Sequence, residues 1–240
     1  MFNVKIADFV ICIDNKYEFV ERLCKDYITD DNDACLTVCC TDEELAEETK
    51  ACIAEYGDGM SQGYVESVCV YRHICLSLPE KDAFVLHAAV IEKDKRAYAF
   101  LARSGTGKST HIKLWAKAFP NEVSVVNGDK PIIRKIDGAF YAYGTPWCGK
   151  EGWGENKRSR LAAICFLERG EINEISPISP KLSAPRLLKQ ILIPKDEKGV
   201  ERTFELMDEF LKTVDTWLLY CNISEEAAII SHDAMSRSVK

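Results

Sequence analysis

The sequence predicts an α/β fold: a mixed sheet with flanking helices, preceded by a small N-terminal α+β region. Three observations carry that expectation. From Ala83 the chain runs in continuous apolar segments, "AFVLHAAVIE" and "AYAFLA", with the texture of strands covered on both faces. Between such segments lie stretches whose apolar residues recur at helical spacing. The first eighty residues lack this alternation and divide off as a companion region, so residues 1–80 and 81–240 are expected to be separate units.

Taken in order, Val4 to Ile13 reads as one strand, and Glu43 to Glu55 as an acidic helix with Leu45, Cys52 and Ile53 inward. In "YVESVCVYRHICLSL", Val65, Val68, Arg72, Cys75 and Leu78 fall on one helical stripe, which Pro79 ends. The charged turn Lys93-Asp94-Lys95-Arg96 breaks the next apolar run and would fold it into a hairpin. A helix is expected from Lys108 with Ile112, Trp115, Ala116 and Phe119 on one face, ending near Pro120. "VSVVN" reads as the next buried strand, and "PIIRKI" with "AFYAYG" as a hairpin across Asp137-Gly138. A loop rich in Gly and Trp follows from Gly144 to Asn156, then the core strand "LAAICFLERG". Helices over Pro185–Ile193, Val200–Val214 and Glu225–Met235, with "TWLLYC" as a strand between the last two, complete the pattern.

Hydrophobic residues make up 47% of the 240, enough for a packed core, so wholesale disorder is excluded. The net charge of -7 argues against nucleic acid and anionic lipid as partners, so any anion site must be local. No basic leader with an apolar core opens the chain, and the run Phe9–Ile13 is too short to span a bilayer. A soluble, cytoplasmic protein is the expectation. Eleven cysteines are scattered without a CxxC pair, and the four histidines do not space with them as zinc ligands. They read as reduced thiols serving as small hydrophobes, with no redox role.

The chemistry lies in "LARSGTGKSTHIKLW", residues 101–115. A phosphate loop needs glycines that let backbone amides turn toward phosphate oxygens. It also needs a Lys for the terminal phosphates and a hydroxyl for magnesium, all at a helix N-terminus. Ser104, Gly105, Thr106, Gly107, Lys108, Ser109 and Thr110 supply these, with Ala102 at the first glycine position of GxxxxGK[ST]. Apolar strand, loop and amphipathic helix are the context this motif requires. Downstream, "VSVVNGDKP" ends a strand in Asp129, either a second magnesium ligand on a strand neighbouring the loop or a solvated turn residue. His87 is either a satisfied core imidazole or, if the 93–96 hairpin forms, a group delivered to the phosphates beside Ala102.

"LHAAVIE", "AYAFLARSGTGKSTHIKLW" and "VVNGDKP" together resemble the HPr serine kinase/phosphorylase C-terminal domain and its relatives, a P-loop group akin to phosphoenolpyruvate carboxykinase. Bacterial HPr-kinase-like proteins are similar also in a "YGTPW.GK" loop. The likeness covers about residues 84–170 and leaves the first eighty residues unmatched. It implies ATP or a related phosphate donor with Mg2+, and transfer to a hydroxyl of a small molecule, peptide or protein. His87 would lie near the transferred phosphate, Lys108 would stabilise it, and Ser109 and Asp129 would hold the metal. Members of the group often assemble, which adds a homo-oligomer to the expectations.

Two departures qualify that picture. The first Asp of the family's Asp-Asp turn, the acceptor's general base, is Gly128 here. Either Asp129 or His87 substitutes, or the chain is a catalytically impaired nucleotide-binding regulatory module. Restoring Gly128→Asp is expected to raise turnover if the kinase reading holds. The family's signature loop with its magnesium-binding Glu is also not visible, and "YGTPWCGKEGWGENKRSR" stands in its place. There Trp147 and Trp153 offer flat contact area, while Lys150, Lys157, Arg158 and Arg160 offer positive charge. Lys150 and Arg158 are the candidates for an anionic substrate. Carboxykinase-type lyase chemistry is disfavoured, because the chain is short and shows no second-metal Lys/His/Asp set.

Overall fold

The computed structural model describes residues 1–238. It divides into two units, Met1–Ser77 and Leu78–Lys240.

In the first unit, β1 (Phe2–Ile6) and β2 (Phe9–Asp14) form an antiparallel hairpin. The single strand expected over Val4–Ile13 is thus two, broken at Ala7 and Asp8, which turn with φ of 53° and 62°. The sequence carries no Asn-Gly or Asp-Gly signal for such a turn, which is why the run looked continuous. Helix α1 (Glu18–Leu23) leads to β3 (Leu36–Cys39), which pairs parallel with β2. Helix α2 (Asp42–Tyr56) opens on a capping box: Thr41 Oγ1 accepts from the Glu44 amide, and the Glu44 carboxylate accepts from the Thr41 amide. Leu45 and Cys52 of α2 are buried, but Ile53 points outward, contrary to the expected face.

Helix α3 (Gln62–Ser77) buries Val65 and Cys75 of the expected stripe, and Leu78 beyond its end, but a wider face than expected turns inward. Val65, Glu66, Cys69, Val70 and Ile74 face inward, whereas Arg72 is exposed and grips Glu48 of α2 with two hydrogen bonds of 2.8 Å. Buried Glu66 accepts the amides of Lys16 and Tyr17 just before α1, so the inward carboxylate is satisfied by backbone donors.

The second unit is a nine-stranded mixed sheet with flanking helices. In chain order it comprises β4 (Ala83–Val85), β5 (Ala88–Lys93), β6 (Arg96–Leu101), α4 (Lys108–Ala118), β7 (Val123–Asn127), β8 (Ile132–Ile136) and β9 (Ala139–Tyr143). There follow β10 (Arg158–Arg169), β11 (Glu174–Pro177), α5 (Pro180–Leu187), α6 (Glu197–Thr213), β12 (Asp215–Cys221) and α7 (Glu225–Met235). The strands run β4-β8-β9-β10-β6-β5-β7, with β12 on β10 and β11 on β12. Only β6 and β12 pair parallel with β10; the other pairings are antiparallel.

The apolar run "AYAFLA" is explained by two covered faces. Ala97, Ala99 and Leu101 pack with Leu206, Phe210 and Leu211 of α6. Tyr98, Phe100 and Ala102 pack with Ile112 and Trp115 of α4 and with Ala228 and Met235 of α7. Three expectations are corrected here. Strand β7 is not buried between neighbours but is the edge strand beyond β5, with its first three residues half-buried. On α4, Ala116 is exposed and the inward position is His111. The helix expected from Pro185 begins at Pro180, after Ser179, and gives way to a 3₁₀ turn at Leu188–Gln190.

Candidate functional site

The site starts from the β5–β6 hairpin, closed by Asp94 and Lys95 with φ of 53° and 61°. Its register pairs Lys93 with Arg96 and Ala88 with Leu101, so His87 and Ala102 leave the sheet side by side at the end away from the turn. His87 is fixed there by its own backbone: its amide donates to Gln190 O at 2.8 Å, and the next amide, of Ala88, donates to Asp129 O at 3.0 Å.

From Ala102 the chain enters the loop that ends in α4. Gly107, the residue before the helix, has φ 129°, a conformation closed to side chains with a Cβ. No side chain among the described residues caps this helix start, so its first amides point into the loop without a side-chain acceptor. Ser104 is exposed, while Thr106, Ser109 and Thr110 are half-buried around the rim. Lys108, in contrast, is buried; its Nζ donates to Ala102 O at 3.2 Å and meets His87 Nε2 at 2.9 Å. Burial pushes the Lys108 ammonium below its ordinary pKa, opposed by Asp129 and aided by Lys130.

Asp129 reaches the same point from the end of β7. Asn127 Oδ1 accepts the amides of Asp129 and Lys130 at 2.9 and 2.8 Å, and its Nδ2 donates to Thr145 O and Oγ1. This side-chain-to-backbone turn aims the Asp129 carboxylate at His87 Nε2, 3.2 Å from Oδ1, while Oδ2 accepts from Lys130 Nζ at 2.8 Å. Burial alone would raise the Asp129 pKa, but the hydrogen bond with His87 and the charge of Lys130 hold it well below the usual carboxylate range. Asp129 was expected on a strand adjoining the loop strand. In fact β5 lies between β6 and β7, and it is the Ala88–Asp129 backbone bond that closes the gap.

His87 Nε2 therefore has two partners and can serve one at a time. To accept from the Lys108 ammonium it needs its lone pair, and to donate to Asp129 it needs a proton.

The loop over 144–156 forms a wall of the site. Trp153 O accepts from the Gly128 amide at 2.8 Å, and Val126 O accepts from the Glu155 amide. A Cβ on Gly128 would stand 2.8 Å from Cys148 O and 3.2 Å from Trp153 O, both backbone atoms. Gly128 thus permits the close approach of this loop, and a side chain there would force the 148–153 backbone aside, which argues against the expected gain from Gly128→Asp. A Cβ on Gly149 would lie 3.0 Å from Asp129 Cβ, which puts the loop tip against the carboxylate. Exposed Lys150 follows directly. Trp153 is covered by Lys113 of α4, whose Nζ is 5.0 Å from the ring centre and 3.7 Å from Glu151 Oε1.

The structure does not bring Arg158 to this cluster. Arg160 pairs with Arg96, so Arg158 lies near the 94–95 turn, at the opposite end of the strand from the Leu101 level. Its guanidinium stacks 5.6 Å over Tyr141. Lys157 is likewise engaged with Glu92, Glu155 and Ser124.

Sequence reasoning missed Arg169, the last residue of β10, whose Nη2 donates to Gly105 O at 2.9 Å. Its signal was a basic residue ending the strand parallel to β6. Lys130 and Asn127 were also missed as parts of the site, although both stand in the quoted "VVNGDKP".

Among the described residues no helix is long and apolar enough to cross a membrane. No family model matches the chain, and no curated protein matches it. Among solved structures, it overlaps the Hpr(Ser) kinase/phosphatase from Coxiella burnetii with a TM-score of 0.37 and 10% identity, over 64% of this chain and 88% of the other. An overlap that loose carries no argument about the chemistry here.

Proposed function

We propose that this chain binds ATP, or a related phosphate donor, with Mg2+ on a P-loop core. It would transfer the terminal phosphoryl group to a hydroxyl of a small molecule, peptide or protein, as an HPr-kinase-like phosphotransferase. The observation that carries this reading is the meeting of Lys108, His87 and Asp129 at the mouth of the 102–107 loop. The loop amides and Lys108 would hold the phosphates, with Ser104, Gly105, Thr106, Gly107, Ser109 and Thr110 lining the cradle. A buried ammonium stabilises developing negative charge more strongly than a solvated one.

Ser109 offers a hydroxyl and Asp129 an ionised carboxylate, the hard oxygen set that magnesium takes. When bound, such an ion neutralises charge developing on the phosphate oxygens. His87 would handle the proton. With Lys108 turned to phosphate and Asp129 to metal, Nε2 loses both partners and its lone pair can accept the acceptor hydroxyl's proton. Exposed Lys150, next in the chain to Gly149, would meet an anionic acceptor, whereas Arg158 lies at the other end of its strand.

Mg–ATP is expected to raise the melting temperature of the wild type and not that of Lys108→Ala. Equal stabilisation of both would remove the P-loop reading. His87→Gln is expected to keep that stabilisation and to lower transfer of label from the γ-phosphate by roughly 10²–10⁴-fold.

A second reading, a nucleotide-binding regulatory module without transfer, is favoured by Gly128, where the resemblance expects a base and the backbone leaves no room for one. Tight Mg–ATP binding with no label transfer in any cell-extract fraction would select it. Mass spectrometry of the co-purified ligand is the direct route to the acceptor.

A further inference from the structure

The cysteine and histidine spacings hold no metal motif, yet the packing of α2 against α3 gathers one. Cys69 and His73 stand one turn apart on α3, so their side chains leave the same face. Glu44 of α2 faces them, with Oε1 3.0 Å from His73 Nε2. One ligand atom from each of Glu44, Cys69 and His73 lies within 4.8 Å of the others. Cys40, just ahead of the Thr41 cap, is buried next to Cys69 but lies outside that trio, so its thiol has to turn in to supply a second sulfur. Both thiols are buried and unoxidised, while Glu44 and His73 are half-exposed and leave a path from solvent.

The surroundings hold these groups in place. Glu44 Oε2 is fixed by the Thr41 amide at 2.9 Å in the capping box, which orients Oε1 toward His73. Glu48, one turn further along α2, is taken by Arg72, and that guanidinium stands near Cys69.

We propose that Cys40, Glu44, Cys69 and His73 form a binding site for one thiophilic divalent cation, with zinc as the ion that fits. Two sulfurs, one imidazole and one carboxylate oxygen make a four-coordinate set of the kind zinc accepts. Tetrahedral coordination needs ligand atoms roughly 3.3–3.8 Å apart, so Glu44, Cys69 and His73 close onto an ion with small side-chain movements, and Cys40 turns in as the fourth ligand. Binding releases the two thiol protons to solvent and involves no redox change.

Co2+ titrated into the reduced, metal-free full chain is the test. The expected result is thiolate-to-metal charge transfer with the d–d bands of a tetrahedral ion, saturating at one Co2+ per chain and displaced by Zn2+. Cys69→Ser and His73→Gln should each weaken binding by at least about 10-fold. Cys35→Ser, at an exposed thiol outside the cluster, should leave it unchanged. Because His73 is half-exposed, its variant tests the site even if Cys69→Ser folds poorly. The proposal is overturned if no saturable 1:1 signal appears. It is equally overturned if the signal survives both His73→Gln and Cys69→Ser, or falls as far with Cys35→Ser.

Discussion

His87 with Asp129 and His73 with Glu44 are two histidine–carboxylate pairs of nearly equal span, 3.2 and 3.0 Å. What separates them is the third neighbour. Beside His87 stands the Lys108 ammonium, 2.9 Å from Nε2, at an uncapped helix start. Beside His73 stands the Cys69 thiol, with Glu44 tied into the cap of its own helix. On the proposed readings, an ammonium beside uncapped amides suits the first cluster to an anion, and a thiol suits the second to a soft cation. The group packed against each pair makes that difference.

The largest expected effect probes how tightly the first cluster is walled. Gly128→Asp should destabilise the second unit by about 3 kcal/mol, since the new Cβ meets backbone carbonyls and the carboxylate enters a packed site. Denaturant unfolding measures this, and acceptor-dependent turnover should not rise. A variant that folds like wild type and turns over faster would break the account of the loop wall.

Next, Lys108→Ala should weaken Mg–ATP binding by on the order of 100-fold, about 2.7 kcal/mol, and leave the Co2+ titration unchanged. Cys69→Ser should do the reverse. Cross-effects in both variants would mean that the two clusters are not chemically distinct.

A third histidine, His111, sharpens the contrast because it has no charged partner. It is buried against Phe100, 4.5 Å between ring centres, beside Trp115 and Ser231, and burial lowers its pKa to about 3. Its folded pKa is below the unfolded value near 6.5, so below pH 6.5 the unfolded chain takes up a proton that the folded chain refuses. Stability therefore falls on acidification through this window, by about 1.4 kcal/mol per pH unit from this group. His111→Gln should flatten the slope of stability between pH 5 and 6.5, whatever its offset. An unchanged slope would show that His111 is protonated in the fold.

The smallest effect concerns the orientation of α2. Ile53→Ser, on an exposed face, should change stability by no more than about 0.5 kcal/mol and leave the Co2+ titration intact. A large loss would mean that α2 turns a different face to α3, and the cation cluster would fail with it.

The first cluster was legible in large part because its parts are local. The run from Ala102 to Thr110 follows from what backbone amides and glycines do at a helix start. The tetrad Lys93–Arg96 announces the hairpin, whose register sets His87 beside Ala102. What could not be read was which strand lies next to which. "VSVVN" has the same apolar texture at a sheet edge as in the middle, so β5 between β6 and β7 had no signal. Gly128 likewise looked like a lost catalytic residue, and only the approach of Cys148 O and Trp153 O explains it.

The second cluster was not legible at all. Spacing rules find groups that share a short segment, whereas Glu44 meets Cys69 and His73 through the contact of two helices. The stripe read for α3 held at Val65, Cys75 and Leu78 but failed at Arg72, which turns out to Glu48 while Glu66 turns in to backbone amides.

The sequence by itself determined the mixed α/β pattern, the turn at Asp94–Lys95 and the loop that precedes α4. These depend on backbone preferences and on neighbours a few residues away along the chain. The tertiary structure decided the order of the strands, the closed position at Gly128, the reach of Arg169 to the loop and the gathering of Glu44, Cys69 and His73. Each of these depends on contacts between segments far apart in sequence, where packing and the satisfaction of buried polar groups select one arrangement that no local pattern encodes.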